Sequence, residues 1–90
     1  MSSQDFENYV RLLVSTYFNE HKDATDKNPP IEPGDVFIVW MCKTLQNNKA
    51  LAATPASDGM YYEVTYNGDK KEIYRDAYKK WENKVFNVKE

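Results

Sequence analysis

The stretch MYYEVTY, residues 60–66, alternates strictly: Met60, Tyr62, Val64 and Tyr66 share one side, and Tyr61, Glu63 and Thr65 the other. A period of two reads as a β-strand. A strand leaves backbone donors and acceptors along both edges, so the rest of the chain has to supply partners for it. Two further segments qualify. DVFIVWMCKTL, residues 35–45, is dense in β-branched and aromatic side chains and reads as a strand. Phe37, Trp40, Met41, Thr44 and Leu45 also fall at helical spacing there, and the strand is the preferred reading. QNN makes a turn, KALAAT a short return strand before Pro55, and ASDG turns the chain into MYYEVTY.

Helices are expected at the two ends. Phe6, Val10, Leu13 and Tyr17 make an apolar stripe that Tyr9 and Leu12 widen. Ser3 suits an N-cap, and Asp5 and Glu7 place negative charge in the first turn. The pattern fades after Phe18 into NEHKDATDKNPPIEPGD, a loop in which Pro29-Pro30 cannot continue a helix. Near the other end, Ile73, Ala77, Trp81 and Val85, joined by Tyr74 and Tyr78, mark a second helical stripe. Asn67-Gly68 makes the turn into it, Asp69 caps it, and Glu72 stands where a capping box places its acid. The expected fold is therefore α+β in the order α-β-β-β-α, a three-stranded antiparallel sheet packed by two amphipathic helices. It forms a single domain over 1–90, with a polar, proline-rich loop at 19–34 and a frayed tail at 84–90.

Ninety residues leave little room for a second core, and 29% charged with 41% hydrophobic residues suits a globular chain. No apolar run approaches the roughly 20 residues that span a bilayer, so no membrane partner is expected. MSSQDFENYV lacks the basic start and apolar stretch of a secretory signal. A single cysteine, Cys42, excludes an internal disulfide and fits a reducing compartment, so the expected location is cytoplasmic.

Catalytic chemistry is poorly supplied. His21 is the only histidine, and the nearby Glu20, Asp23 and Asp26 do not complete a zinc pattern. Cys42 lies in an apolar strand beside Met41, the setting of an inert packing residue. Gly34, Gly59 and Gly68 are isolated in turns, and no phosphate-cradling loop exists. No enzyme activity, no cofactor and no metal are expected.

Two surfaces are left as binding candidates. Strand 36–42 is apolar on both sides, Val36, Ile38, Trp40 and Cys42 against Phe37, Val39 and Met41. If both helices cover one face, the row Phe37, Val39, Met41 and Tyr61 stays open as a protein-contact surface or a site of self-association. The second surface is basic. Lys70 heads a line of Lys71, Arg75 and Lys79 recurring every four residues. With the helix–strands–helix order, KKEIYR resembles the lysine motif of double-stranded RNA-binding domains. That resemblance implies phosphate contacts from Lys70, Lys71 and Arg75. The family's glycine-proline-histidine loop is missing, LQNN standing in its place, and Asp69, Glu72 and Asp76 dilute the positive field. The plainer reading of these bases is the solvated face of an amphipathic helix. Charge along the chain is uneven, −4 over residues 1–35 and +3 over 70–90 within a total of −2.

DVFIVWMCKTLQNNKAL followed by DGMYYEVTYNGDKKEIYRDAYKKW resembles a family of small uncharacterised proteins from tailed phages and prophages of Gram-positive bacteria, over roughly residues 35–83. The resemblance brings no catalytic or binding residue with it. It implies an intracellular phage accessory protein that binds a host or phage protein.

Overall fold

A computed structural model describes residues 1–22, 25 and 29–89. One helix, α1 (Ser3–Glu20), precedes a 3₁₀ turn (Pro33–Asp35) and four strands: β1 (Phe37–Thr44), β2 (Asn47–Ala53), β3 (Met60–Asn67) and β4 (Glu72–Lys79). The strands form one antiparallel meander in the order β1-β2-β3-β4. The fold is α+β, as the sequence indicates, but with four strands and one helix.

The helix begins one residue earlier than the expected cap. Ser2, not Ser3, is the N-cap, and its Oγ accepts from the Asp5 amide at 3.0 Å. The buried stripe is Phe6, Val10 and Val14, with Leu13 and Tyr17 at its margins, while Tyr9 and Leu12 face outward, 46% and 52% exposed. α1 packs on the 3₁₀ turn and, among the strands, mainly on β2. The residues of β2 beneath it are small, Ala50 and Ala52 being fully buried, which lets the helix approach the sheet closely. Tyr62 and Val64 of β3 and Val36 complete the core. Two polar ties hold the helix to the chain that returns from the loop. The Asn19 carboxamide donates to the Ile31 carbonyl and accepts from its amide, both at 2.9 Å. Arg11 donates to the Val36 carbonyl and pairs with Glu7 at 3.0 Å.

The expected second helix is instead β4 and its hairpin. From Met60↔Lys79 to Asn67↔Glu72, β4 pairs with β3 along its whole length. The turn before it is held locally: Asn67 Oδ1 accepts from the Asp69 and Lys70 amides at 3.1 and 3.2 Å, and Lys71 takes a left-handed φ of 54°. Asp69 accepts from the Gln46 side chain of the neighbouring β1–β2 turn and caps no helix. Gly68 is required at this contact, because a Cβ there would stand 2.2 Å from the Gln46 carbonyl oxygen. The reason a strand wins is visible in residues 72–79. Ile73, Arg75 and Ala77 alternate with Tyr74, Asp76 and Tyr78, a pattern that gives the edge of β3 a hydrogen-bonded partner. From residue 80 to 89 the chain has no regular secondary structure.

Candidate functional site

Among the described residues there is one α-helix, and it covers one side of the sheet. The inward side carries Ile38, Met41, Ala50, Ala52, Tyr62, Val64 and Ile73, all packed in or against the core. The outward side faces no other element among the described residues, and the register assigns its residues. Trp40 stands opposite Leu51, Leu51 opposite Glu63, and Glu63 opposite Asp76. One step along, Cys42 stands opposite Lys49, Lys49 opposite Thr65, and Thr65 opposite Tyr74. At the other end are Phe37 and the cross-strand pair Tyr61–Tyr78, whose rings stack at 5.3 Å and 18°.

The expected contact row of Phe37, Val39, Met41 and Tyr61 therefore divides. Phe37 and Val39 are each 58% exposed and Tyr61 is 37% exposed on the open side. Met41 is not part of it. The pairing of β1 with β2 slips between Ile38 and Trp40, which makes Val39 a bulge residue. A bulge inserts one residue and reverses the alternation that follows. Met41 is carried under the helix, and Trp40 comes out onto the open side at 44% exposure. Tyr74 and Tyr78, 43% and 42% exposed, join the same surface from β4. Sequence reasoning missed all three. For the tyrosines the signal was the period of two across residues 73–78; for Trp40 a bulge leaves no such mark.

Charge sits in the middle of this aromatic surface. Glu63 accepts from Lys49 Nζ at 3.0 Å, and the hydrogen bond from Lys49 to Glu63 raises the lysine pKa. Asp76 lies directly opposite Glu63. At the rim, Tyr74 donates its hydroxyl to Glu72, and that bond raises the tyrosine pKa.

The four bases of the expected basic line are dispersed. Lys70 and Lys71 lie on the exposed β3–β4 turn, and Lys79 ends β4 opposite Met60. Arg75 points inward: its Nη1 donates to the Leu13 carbonyl at 2.9 Å, and its guanidinium lies 4.9 Å from the centre of the Tyr17 ring. Within β4, Arg75 and Lys79 share a side of the strand, but only Arg75 lies against α1, and Lys79 is exposed.

The reactive side chains stand apart. His21 caps the end of α1, stacked on Tyr17 at 3.9 Å with Nδ1 2.8 Å from the Tyr17 carbonyl. Asp23 and Asp26, which the sequence sets near it, lie outside the described residues. Cys42 is exposed on the open sheet side. Among the described residues no three metal-ligating side chains converge. Asn48, 2% exposed on the inward side of β2, has both carboxamide atoms buried without a protein partner. No helix among the described residues is long and apolar enough to cross a membrane.

Residues 7–88 match the model of a family described as "Family of unknown function (DUF6275)". No curated protein and no solved structure matches the chain.

Proposed function

From the premise that this chain belongs to DUF6275, a family of unknown function whose model spans residues 7–88, we propose that it is a non-enzymatic protein-binding module that grips its partner through the open side of the sheet. The observation that carries this reading is the uncovered aromatic surface of Phe37, Val39, Trp40, Tyr61, Tyr74 and Tyr78, each 37–58% exposed. Large aromatic side chains gathered on one uncovered face bury apolar area on contact, and monomeric proteins rarely expose such patches in isolation. The acids at its centre select the partner's chemistry. With Lys49 paired to Glu63, Asp76 leaves the centre net negative, which favours an apolar protein segment flanked by bases and disfavours the phosphates of a nucleic acid.

The scattering of the reactive groups supports a binding role over a catalytic one, since catalysis needs a nucleophile or base held beside its partners. The resemblance of residues 35–83 to phage and prophage proteins supports a phage accessory protein acting in the bacterial cytoplasm on a host or phage protein. The inward turn of Arg75 takes one member from the basic line that the double-stranded RNA reading requires.

A photo-activated cross-linker at Tyr61, with one at Tyr9 on the outward side of α1 as control, tests the reading in cells that make the protein. Protein adducts at Tyr61 and not at Tyr9 are expected. Equal adducts at both positions would refute it. So would salt-sensitive binding to double-stranded RNA that disappears in the Lys70→Glu, Lys71→Glu variant, because each lost phosphate contact weakens binding and flattens its salt dependence.

A further inference from the structure

Resting on the reading of the open sheet as a protein-docking surface, we propose that its occupant is a second copy of this chain, the segment 80–89 of each copy lying across the sheet of the other. Surface area sets the scale. The chain exposes 6777 Å². A compact monomer of 10.6 kDa exposes about 5,500 Å². The excess, about 1,300 Å², exceeds the roughly 800 Å² that each partner buries in a standard interface. The dimensions agree: 46 × 38 × 19 Å with a radius of gyration of 15.0 Å, where about 12 Å is usual for this length. Both the open side of the sheet and the extended segment beyond Lys79 contribute to that excess.

The same chain carries a segment suited to cover that open side. Residues 80–89 begin where the Lys80 amide donates to the Gly59 carbonyl at 2.7 Å, at the edge of the sheet. From there Trp81, Val85, Phe86 and Val88 stand 75–95% exposed. The family match runs to residue 88, so these side chains are part of what the family model describes. Four large apolar residues in water on an unstructured segment cost solubility with no return within one chain.

Charge completes the fit. The segment carries Lys80, Lys84 and Lys89 against Glu82, and the open side of the sheet carries Glu63 and Asp76 against Lys49, so a net positive strip meets a net negative surface. Acidic aromatic surface and basic apolar segment are two halves of one contact, and both are present on every copy. A closed two-fold pairing satisfies both halves at once, the self-complementary arrangement of an isologous dimer.

Light scattering of the full chain over a wide dilution series, read together with the emission of Trp40 and Trp81, tests this. A mass of twice 10.6 kDa is expected, with red-shifted tryptophan emission as dilution separates the copies and wets both rings. A sheet variant, Phe37→Asp with Val39→Asp, and a segment variant, Trp81→Ser with Phe86→Ser, should each weaken dimerisation at least about tenfold, or about 1.4 kcal/mol. Mixed, the two variants should associate more tightly than either alone, because the intact segment of one meets the intact sheet of the other. A wild-type chain that stays monomeric throughout overturns the proposal, and this measurement needs no substitution. A segment variant that dimerises like the wild type, or a mixture no better than its components, overturns the segment-on-sheet arrangement. A monomeric chain that still gives protein adducts from Tyr61 would remove the second copy while leaving the docking surface in place.

Discussion

Replacing Arg75 by methionine separates the two roles this residue can have. If it were a phosphate-binding group on an exposed helix, losing it would change stability by no more than about 0.5 kcal/mol, as for ordinary surface substitutions. In the structure it is half-buried beneath α1, with a 2.9 Å hydrogen bond to the Leu13 carbonyl and a 4.9 Å approach to the Tyr17 ring. A hydrogen bond from a charged donor contributes about 1.5–3 kcal/mol, and a partly exposed cation–π contact about 0.5–1 kcal/mol. Methionine keeps most of the apolar stem, which offsets part of that loss. A net loss of about 2 kcal/mol is therefore expected for Arg75→Met. For a domain of this size that lowers Tm by about 8–16 °C. Urea unfolding followed by circular dichroism measures it, with all variants at one protein concentration because self-association would shift the midpoint. Lys70→Met, on the exposed turn, is the control and should stay within about 0.5 kcal/mol of the parent. A double-mutant cycle with Tyr17→Leu should return a coupling of about 0.5–1 kcal/mol. An Arg75→Met protein as stable as Lys70→Met would refute the inward placement of Arg75 and, with it, the pairing of β4.

Two further outcomes follow from the core and from a turn. Burial, helped by Asp58 and Tyr17, pushes the Tyr62 hydroxyl up to about 12 from an ordinary value of 10.0. The unfolded chain then loses its proton at lower pH than the folded one, so stability is full below about pH 10 and declines by on the order of 2 kcal/mol as pH rises towards 12. Denaturation across that range should show this slope in the parent and a flatter one in Tyr62→Phe; equal slopes would refute the cause. Leu45, 83% exposed in the two-residue β1–β2 turn, holds a left-handed φ of 55° that a leucine side chain disfavours. Leu45→Asn should raise stability by about 1 kcal/mol in thermal unfolding, and a lower Tm would refute the strain.

Much of the fold was legible because local physics governs it. The α1 stripe of Phe6, Val10 and Tyr17 repeats with the helical turn, and Tyr62 and Val64 alternate with Tyr61 and Glu63 in the sheet period. Their partners are set by the next few residues along the chain, so composition and spacing suffice. The region 69–79 misled because its signals conflict. Asp69 and Glu72 stand at capping-box spacing, and Ile73 and Ala77 at helical spacing, while the alternation of Tyr74, Asp76 and Tyr78 suits a strand. The choice was made by the open edge of β3, a neighbour whose unpaired amides and carbonyls exist only once the sheet has formed.

Site composition divides along the same line. That Phe37, Val39 and Tyr61 lie in strands could be read from composition and alternation, though these do not tell which side stays open. Which of Trp40 and Met41 faces out could not, because the bulge at Val39 is a property of how β1 fits the twist and length of β2. The sequence by itself determined the first amphipathic helix and the three strands that follow it, since each follows from a periodicity counted within a single segment. Only the tertiary structure decided that the sheet has four strands, that Arg75 turns inward, and that one aromatic side is left without cover. Those outcomes depend on which strand edges and faces remain unpaired after the others have packed, and no single segment carries that information.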